Sequence, residues 1–375
     1  MAELICLACG KTYAAVEVRW KCDCGGLLDL NFQPIFDPSK IKSYTHGMWR
    51  YRAAIPINDD QNILTFQEGF TPLLPLNLEE GLLYVKQDHL FPSGSYKDRG
   101  ASVLISKAKE IGVHRVVEDS SGNAGCAIAA YCALGGITCD IYVPASTSAG
   151  KLAQIQLYGA NLHLIPGSRQ DTSTAVLAAA EDTYYASHSW NPFFFHGTKT
   201  FAYELCEQLG WKAPDTVILP AGNGTLLLGA ALGFSELAAS GCINRLPRII
   251  AVQSQNCAPL AAAFDNGSDT PALVDVQDTL AEGIAIANPI RGSQIIQAVT
   301  QSSGLFITVS EEEITSALLE VSRKGHYIEP TAAATIAGAK NYLNHHSRSG
   351  EIIASVFTGH GLKSTEKLLK LATGH

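Results

Sequence analysis

Residues 216–234 read TVILPAGNGTLLLGAALGF, an apolar run that is followed by a glycine-rich turn and a second apolar segment. The first run is short, continuous and partly β-branched, which is typical of a strand that is buried on both faces. The segment after the turn is rich in leucine and alanine, which favour a helix. We therefore predict a strand at 216–220, a tight turn and a helix in this order.

The same alternation extends over most of the chain. Further strands are predicted at 115–120, 138–144, 162–166, 248–253 and 351–357. Helices are predicted at 102–111, 124–134, 226–239, 311–324 and 331–343. Apolar strands that are joined by helices indicate parallel sheets with both faces covered. The predicted fold class is α/β, with two lobes, an N-terminal appendage and a polar surface loop at 266–279.

Ligands of such sheets bind at the carboxyl ends of the strands, where this sequence places turns that contain glycine. The turn PAGNGTL at 220–226 matches neither GxGxxG nor the P-loop pattern, which disfavours a dinucleotide, a nucleoside triphosphate and an NAD-dependent dehydrogenase. Its backbone N–H groups at a helix start still suit a phosphate group. The turn SSGNAG at 120–125 offers a similar site for a carboxylate, although an ordinary strand-to-helix turn would look the same. A third turn, at 357–363, places the hydroxyl group of Thr358 at a strand end.

A candidate nucleophile, Lys97, lies in the segment SGSYKDRG at 93–100, which leads into a helix. A charged lysine is disfavoured at the positive end of a helix, and a lysine that forms a Schiff base must lose its proton. On this segment alone, a solvated lysine that pairs with Asp98 is the simpler explanation. A catalytic role for Lys97 becomes the better explanation only when the segment is considered together with the turns at 220–226 and 120–125 and the hydroxyl group of Thr358.

The bulk composition disfavours several classes of partner. The chain has 375 residues, of which 46% are hydrophobic, and a net charge of −8 from 27 basic and 35 acidic side chains. No basic run suits a nucleic acid or a membrane surface, and the N-terminus lacks the layout of a secretory signal. We predict a cytoplasmic protein in a reducing compartment. The cysteines at 126, 132, 139, 206, 242 and 257 stand singly in apolar stretches and are predicted to be small buried residues.

The first forty residues carry the other four cysteines. Cys6 and Cys9 form a CxxC pair, and Cys22 and Cys24, separated from it by twelve residues, form a CxC pair that is followed by two glycines. Four thiolates in two such pairs can bind one structural zinc ion in a tetrahedral site. Because CxC replaces the usual CxxC, a ribbon that has lost its metal explains the pattern equally well.

Taken in order, these motifs resemble the threonine synthase family, whose members are pyridoxal-phosphate (PLP) enzymes of fold type II, the tryptophan-synthase-β-like fold. The resemblance covers nearly the whole chain. It rests on these stretches: CxxC…CxCGG, SGSYKDRG, EDSSGNAG, SWNPF…GTKT, PAGNGTLLLG and TGHGLK. It implies a PLP-dependent carbon–oxygen lyase. It also implies a homodimer, because related enzymes are commonly homodimers.

The resemblance also implies roles for individual residues. Lys97 would bind the cofactor covalently and move protons on the substrate, and Asn123 would contact the 3′-oxygen of the cofactor. The cofactor phosphate would be held by Gly222, Asn223, Gly224, Thr225 and Leu226. The substrate carboxylate would be held by the turn of Ser120, Ser121, Gly122 and Ala124.

Thr358 would meet the pyridine nitrogen of the cofactor. A hydroxyl group holds a proton on that nitrogen less firmly than a carboxylate does, which favours elimination and replacement over transamination. The implied domains are a zinc-ribbon-like segment and arm at 1–60, a large PLP-binding domain at 61–100 and 190–375, and a smaller substrate domain at 101–189. Closure of the smaller lobe would exclude water.

Two positions depart from the family pattern. Ala124 stands where a hydroxyl residue usually follows the asparagine, and Phe194 stands where SxNPxR has an arginine that helps to hold the phosphate group of O-phosphohomoserine. Losing this guanidinium group removes charge-assisted hydrogen bonds. The side chains that could replace it are those of Lys151, Arg169 and Lys199.

Three functions stay open at this stage. The first is the conversion of O-phosphohomoserine and water to threonine and phosphate. The second is β-elimination or β-replacement on a non-phosphorylated amino acid, as in a serine or threonine dehydratase, which Phe194 favours. The third is a non-catalytic zinc-ribbon scaffold or ligand sensor. His360 and Thr331 are interpreted as turn and helix-start residues rather than as catalytic groups.

Overall fold

A computed structural model of the chain describes residues 2–34, 36–41, 45–147, 149–167 and 169–373. The strands, in chain order, are β1 (Glu3–Cys6), β2 (Thr12–Ala14), β3 (Leu28–Asn31), β4 (Leu73–Leu78), β5 (Gly81–Lys86), β6 (Arg115–Glu118), β7 (Thr138–Pro144), β8 (Asn161–Ile165), β9 (Tyr184–Tyr185), β10 (Thr216–Pro220), β11 (Arg248–Ser254), β12 (Leu305–Val309) and β13 (Ile353–Val356).

The α-helices, in chain order, are α1 (Lys97–Glu110), α2 (Asn123–Gly135), α3 (Ala149–Leu157), α4 (Arg169–Ala179), α5 (Pro192–Thr198), α6 (Thr200–Gln208), α7 (Thr225–Ala239), α8 (Pro259–Asp265), α9 (Gly292–Gln301), α10 (Glu311–Arg323), α11 (Pro330–His345) and α12 (Thr365–Thr373). Short 3₁₀ turns occur at Pro38–Lys40, Met48–Ala54, Asp60–Asn62, Asp88–Leu90, Glu282–Ile284 and Gly361–Ser364. The α/β fold class that the sequence predicts is confirmed.

The predicted elements are present with small shifts. Each of the six predicted strands is found, as β6, β7, β8, β10, β11 and β13, and each of the five predicted helices is found, as α1, α2, α7, α10 and α11. Helix α1 begins at Lys97, five residues before the predicted start. The stretch 266–279 contains no helix or strand, as predicted.

The chain divides into two compact units. Unit 1 comprises Met1–Ile35, Ser39–Glu68 and Lys97–Thr198, and unit 2 comprises Phe36–Pro38, Gly69–Tyr96 and Lys199–His375. Each unit contains a sheet of its own, and unit 1 also contains a small antiparallel sheet near the N-terminus.

Unit 2 is built on a six-stranded sheet with the order β12-β11-β10-β13-β5-β4. The strands run parallel except for β4, which pairs with β5 as an antiparallel edge. Every residue of β10 is buried, as a strand with both faces covered requires. Helix α11 packs closely on this sheet because Gly338 lies against Val252, where a Cβ atom would overlap the valine side chain.

Unit 1 contains an all-parallel sheet with the order β8-β7-β6-β9. Its core combines apolar residues of strand β6 and helices α1 and α2, such as Val116, Leu104 and Ile128. Strand β6 is an inner strand of this parallel sheet, and the turn that follows it lies at the carboxyl edge, where ligands bind.

Helices α1 and α5 of unit 1 meet through a glycine and an aromatic ring. The ring of Phe194 on α5 is fully buried, and a Cβ atom at Gly100 on α1 would overlap it. Gly197 of α5 likewise lies against the main chain of Arg99. Because glycine has no side chain, the main chains of the two helices can pack directly against each other at these positions.

The small antiparallel sheet, with the order β2-β1-β3, is anchored within unit 1 by Trp20. The Trp20 indole Nε1 donates a hydrogen bond to the main-chain oxygen of Ala180 (3.1 Å), and its ring packs edge-on against those of Tyr185 (5.1 Å) and Trp190 (5.3 Å). This arrangement gives the cysteine-rich segment a fixed support.

A buried ion pair joins helices α6 and α7 of unit 2. Lys199, at the start of α6, is fully buried, and its Nζ atom lies 2.8 Å from Oε1 of Glu236. The Tyr203 hydroxyl donates to the other carboxylate oxygen of Glu236. Burial lowers the pKa of Lys199 and raises that of Glu236, while their mutual attraction opposes both shifts.

We expect Glu236→Ala to destabilise the protein by about 3–5 kcal/mol, because it leaves the Lys199 ammonium group buried without its charged partner. Urea denaturation measures the change. The matched control is Glu181→Ala, which breaks the exposed pair of Lys21 and Glu181 at a similar distance, 2.9 Å, and should alter stability little. Equal losses in the two variants would contradict this interpretation of the buried pair.

We expect Gly100→Ala to destabilise the protein by about 1–3 kcal/mol, because the new methyl group overlaps the ring of Phe194 and this outweighs the better helix propensity of alanine. Phe194→Leu should relieve the overlap. The double variant Gly100→Ala/Phe194→Leu should therefore lose less stability than the sum of the single variants, as measured in a double-mutant cycle. Additive losses would mean that the two residues do not constrain each other.

Candidate active site

The turn between β10 and α7 of unit 2 has no room for side chains at two positions. A Cβ atom at Gly222 would lie 2.9 Å from Cα of Ile284 and 3.0 Å from the main-chain oxygen of Gly283. Gly224 has a φ of +67°, and a Cβ atom there would overlap the side chain of Ile295. This turn therefore requires glycine at positions 222 and 224.

Helix α7 begins at Thr225 directly after this turn. Its N-cap is Gly224, and within the described chain no side chain caps the helix start. The N-terminus of a 15-residue helix carries a partial positive charge. The main-chain N–H groups at the start of α7 add to this charge, so the turn is suited to a phosphate group.

Tyr96 connects this turn to Thr358. Its hydroxyl lies 2.9 Å from Oγ1 of Thr225, and its N–H donates to the main-chain oxygen of Thr358 (3.0 Å). The preceding residue, Ser95, forms a β-bridge with Gly359. The Ser95 hydroxyl is fully buried and has no hydrogen-bond partner among the described residues, which suits an atom that receives a ligand.

Thr358 has a charged neighbour that the sequence analysis missed. Its Oγ1 donates to Oε1 of Glu329 (3.0 Å), and the N–H of Glu329 donates to the main-chain oxygen of Gly359 (2.9 Å). A Cβ atom at Gly359 would overlap the Glu329 carboxylate. The Thr358 hydroxyl is therefore hydrogen-bonded to a buried carboxylate group.

In unit 1, the turn after β6 closes tightly on helix α2. A Cβ atom at Gly125 would overlap the main-chain oxygen of Ser120, and the N–H of Gly122 donates to Oγ of Ser120 (3.3 Å). Helix α2 begins at Asn123 with Gly122 as its N-cap and, within the described chain, without a side-chain cap. The half-exposed start of α2 is thus suited to a carboxylate, as the sequence predicts.

Lys97 is the first residue of α1 and lies in unit 1, half-buried. Its Nζ atom is 5.6 Å from the ring centre of Phe194. The phenylalanine therefore packs beside the candidate nucleophile, and its ring is fully buried between α1 and α5.

This position of Phe194 bears on how a phosphorylated substrate could be recognised. Lys199 cannot replace the missing arginine, because it is fully buried and paired with Glu236, so that suggestion was wrong. The side chains of Lys151 and Arg169 lie outside the described parts of the structure. A pair that the sequence analysis missed lies close by: Nδ1 of His188 is 2.9 Å from Oε1 of Glu118, and the His188 ring centre is 6.0 Å from that of Phe194.

The two lesser candidates have structural roles. Nδ1 of His360 accepts from the N–H of Leu362 (3.2 Å) and caps a 3₁₀ turn. Oγ1 of Thr331 accepts from the N–H of Gly283 (3.1 Å). The ring of His89 stacks on that of His360. Burial lowers the pKa of His89 to about 4, so its imidazole is neutral near pH 7.

The N-terminal cysteines form one cluster. Their Sγ atoms all lie within 4.8 Å of one another, and Cys6–Cys24 and Cys9–Cys22 are each 3.6 Å apart. A tetrahedral zinc ion with Zn–S bonds of about 2.3 Å places its sulfur ligands about 3.8 Å apart. Gly26 is needed beside them, because a Cβ atom there would lie 2.9 Å from Sγ of Cys6.

Neighbouring groups lower the pKa of Cys6 and Cys22 and so favour their thiolate forms, whereas hydrogen bonds with the other thiols raise the pKa of Cys9 and Cys24. The N–H of Ala8 donates to Sγ of Cys6 (3.4 Å). A hydrogen bond with the Tyr13 hydroxyl, 3.0 Å from Sγ of Cys22, lowers the pKa of this thiol to about 6. Five of the six remaining cysteines, those at 126, 132, 139, 206 and 257, are buried as predicted, whereas Cys242 is only half-buried.

Within the described residues, none of the helices combines the length and the apolar character that crossing a bilayer requires.

Comparisons with solved structures identify the fold. The processed form of threonine deaminase isoform 2 from Solanum lycopersicum superposes with a TM-score of 0.70 at 21% identity, and the alignment covers 91% of this chain and 90% of that one. A fungal L-serine ammonia-lyase from Rhizomucor miehei also gives a TM-score of 0.70, at 22% identity over 81% of this chain and 97% of that one. At this level of identity, the likeness establishes the fold alone.

Comparisons of sequence identify the family. The family model described as "Pyridoxal-phosphate dependent enzyme" matches residues 64–359. A protein named threonine synthase from Methanocaldococcus jannaschii is 36% identical over 97% of this chain and 94% of its own length, and one from Methanosarcina acetivorans is 32% identical over 98% and 94%. The resemblance drawn from the motifs is confirmed. This chain belongs to the threonine synthase family of pyridoxal-phosphate-dependent enzymes.

Proposed function

We propose that this protein is a threonine synthase, a carbon–oxygen lyase that converts O-phosphohomoserine and water to threonine and phosphate. In this reaction the Cγ–O bond breaks and phosphate leaves, Cβ loses a proton and gains the hydroxyl group of water, and Cγ gains a proton. Relatives that carry this name align over nearly the full chain, which supports the proposal. The observation that carries it is Tyr96, which contacts both Thr225 and Thr358 and precedes Lys97 in the chain.

The residues of the site fit PLP. The turn of Gly222, Asn223, Gly224, Thr225 and Leu226 would hold the phosphate group of the cofactor, since it has no room for side chains at positions 222 and 224 and leads into a helix start that no side chain caps in the described structure. Thr358 would contact the pyridine nitrogen, Asn123 the 3′-oxygen, and Lys97 would bind the cofactor covalently. When bound, PLP supplies a ring that delocalises the charge left after a C–H bond of the substrate breaks.

The other roles belong to side chains and turns of unit 1. The turn of Ser120, Ser121, Gly122 and Ala124 would bind the substrate carboxylate through N–H groups at the start of α2. The Lys97 amine would take a proton from Cα and return protons to the carbon chain of the substrate. The buried ring of Phe194 would limit where the Lys97 side chain can lie.

We infer the setting of the enzyme on similar grounds. A net charge of −8 and the absence of any basic run in the sequence favour a cytoplasmic protein with no nucleic-acid or membrane partner. Related enzymes favour a homodimer. We keep the proposed division into a segment at 1–60, a PLP-binding domain at 61–100 and 190–375, and a substrate domain at 101–189, whose closure would exclude water.

A second function, the dehydration of serine or threonine, is favoured by one observation. Phe194 contributes a buried ring where the family pattern has a phosphate-binding guanidinium group. A non-phosphorylated substrate does not need that charge. The non-catalytic scaffold is disfavoured, because the chain belongs to a family of enzymes.

The deciding experiment offers purified, PLP-loaded protein O-phosphohomoserine, serine and threonine, and measures phosphate and 2-oxo acid. We expect phosphate and threonine from O-phosphohomoserine. Lys97→Ala should reduce phosphate release at least about a thousandfold and prevent borohydride from fixing PLP to the chain. Lys109→Ala, on the same helix with its Nζ bonded to the Gln61 carbonyl, should change neither result. Release of 2-oxo acid without phosphate would identify a dehydratase instead.

We propose further that Cys6, Cys9, Cys22 and Cys24 bind one structural zinc ion. The mutual distances of the four Sγ atoms and the close approach of Gly26 support this proposal. A four-thiolate site leaves no open coordination position, so the metal would stabilise the ribbon without taking part in the reaction.

We expect one zinc ion per chain by elemental analysis, and almost none in Cys22→Ser, because three thiolates bind zinc far more weakly than four. Removing the metal should also lower the melting temperature of the parent protein. Cys242→Ser, a half-buried cysteine outside the cluster, should retain the zinc. A parent protein that is free of zinc after growth in zinc-supplemented medium would identify a ribbon that has lost its metal.

A further inference from the structure

The direction of one hydrogen bond determines what the Thr358 hydroxyl can do. Thr358 and Glu329 are both buried, with 1% and 7% of their surfaces exposed, and Thr358 Oγ1 lies 3.0 Å from Glu329 Oε1. An ionised carboxylate can only accept, and a hydroxyl has a single hydrogen to donate. The hydrogen of Thr358 therefore points to Glu329, which leaves the oxygen of Thr358 as an acceptor toward any other group.

Glu329 is held firmly for this contact. Its N–H donates to the main-chain oxygen of Gly359 (2.9 Å), and its own main-chain oxygen accepts from the N–H groups of Ala332 (3.0 Å) and Ala333 (3.2 Å). Gly359 leaves the carboxylate its space, because a Cβ atom there would overlap it. The main chain thus fixes Glu329 at both of its ends.

The position of Glu329 at the start of helix α11 also supports an ionised carboxylate that accepts from Thr358. It is the N-cap residue of this helix, where a side-chain oxygen commonly accepts a hydrogen bond from an N–H of the first turn. In the described structure the carboxylate makes no such capping bond, and one of its oxygens receives the Thr358 hydroxyl instead. The positive end of a 16-residue helix also stabilises the charged form of this carboxylate.

We propose that Glu329 is a positioning residue that makes Thr358 a hydrogen-bond acceptor and thereby keeps a proton on the pyridine nitrogen of bound PLP. The inference rests on the proposed function, in which Thr358 meets this nitrogen. A hydroxyl group alone can either donate or accept, so the sequence suggested a weakly held proton. With Glu329 behind it, the hydroxyl favours the protonated ring, because only a protonated nitrogen can donate to it.

The consequence for the reaction is a stronger electron sink. A substrate whose leaving group lies on Cγ must lose protons at both Cα and Cβ. A protonated ring delocalises the resulting charge better than a neutral ring does. Glu329 would act through Thr358 and would not touch the substrate.

The test measures the protonation of the ring directly. The protein is loaded with PLP labelled with ¹⁵N in the ring, and the nitrogen chemical shift is recorded for the parent, Glu329→Ala and Thr358→Val. We expect the pyridinium shift in the parent and a displacement toward the neutral pyridine shift in both variants. The displacement in Glu329→Ala follows because Thr358 is then able to donate.

A matched control is Glu351→Ala. The Glu351 carboxylate also accepts a bond from a threonine, Thr216, but this pair lies at the other end of the parallel strands β10 and β13. This control should keep the pyridinium shift, which separates the loss of a specific contact from the loss of a negative charge in unit 2. A displacement of equal size in Glu351→Ala would overturn the inference.

The same samples separate this inference from the proposed function. Borohydride fixation of PLP to Lys97 in the parent tests cofactor binding, and if it fails, both proposals fall. If Glu329→Ala binds PLP covalently with the pyridinium shift unchanged, only the inference falls. If Glu329→Ala does not fold, Thr358→Val decides alone, since a pyridinium shift that survives without the hydroxyl overturns the role of Thr358 and of Glu329.

Discussion

The arrangement in unit 2 depends on a turn that excludes side chains at positions 222 and 224. Gly222 faces the main chain around Ile284 and Gly224 faces Ile295, so any larger residue would push the turn away from both. Because the turn stays close, helix α7 starts at Thr225 with its hydroxyl against Tyr96. Tyr96 in turn contacts the main chain of Thr358. Packing against two isoleucines thus sets the positions of several polar groups.

Several buried charged groups in this protein have specific partners. Lys199 pairs with Glu236, and Lys86 pairs with Glu204 at 2.8 Å with both side chains fully buried. Such pairs add little net stability, because desolvation offsets their attraction, but breaking one is strongly unfavourable. Glu329 and Thr358 are also a buried polar pair, but a single hydrogen bond from a neutral hydroxyl group to a carboxylate joins them. What separates them is their place at the carboxyl edge of a parallel sheet, where ligands bind.

The sequence predicts much of the fold because the inner strands are short apolar runs with clear ends. The predicted bounds of β7 and β10 match the structure, and both strands end at a proline, which cannot continue a ladder. Three of the seven missed strands lack this signal: β4 contains Pro75 and lies at an edge, β9 has two residues, and β12 is only partly buried. Helices α5 and α6 were missed because aromatic and polar residues hide their period.

The candidate site was predictable where motifs carry it and unpredictable where distant contacts make it. Lys97, the turn at 120–124, the turn at 222–226 and Thr358 follow from local patterns and family order. The contact of Glu329 with Thr358 does not, because the two residues are 29 positions apart and the neighbours of Glu329 predict only a helix start. The pair of His188 and Glu118, 70 residues apart, is equally invisible in the sequence.

The contact between Gly100 and Phe194 also limits which side chains fit at position 194. The buried ring fills an apolar space and lies so close to α1 that a Cβ atom at position 100 would overlap it. A smaller apolar side chain would leave a cavity there, and a charged side chain would have to leave the space to keep its hydration. Packing between α1 and α5 thus favours an aromatic residue at position 194, whatever the substrate.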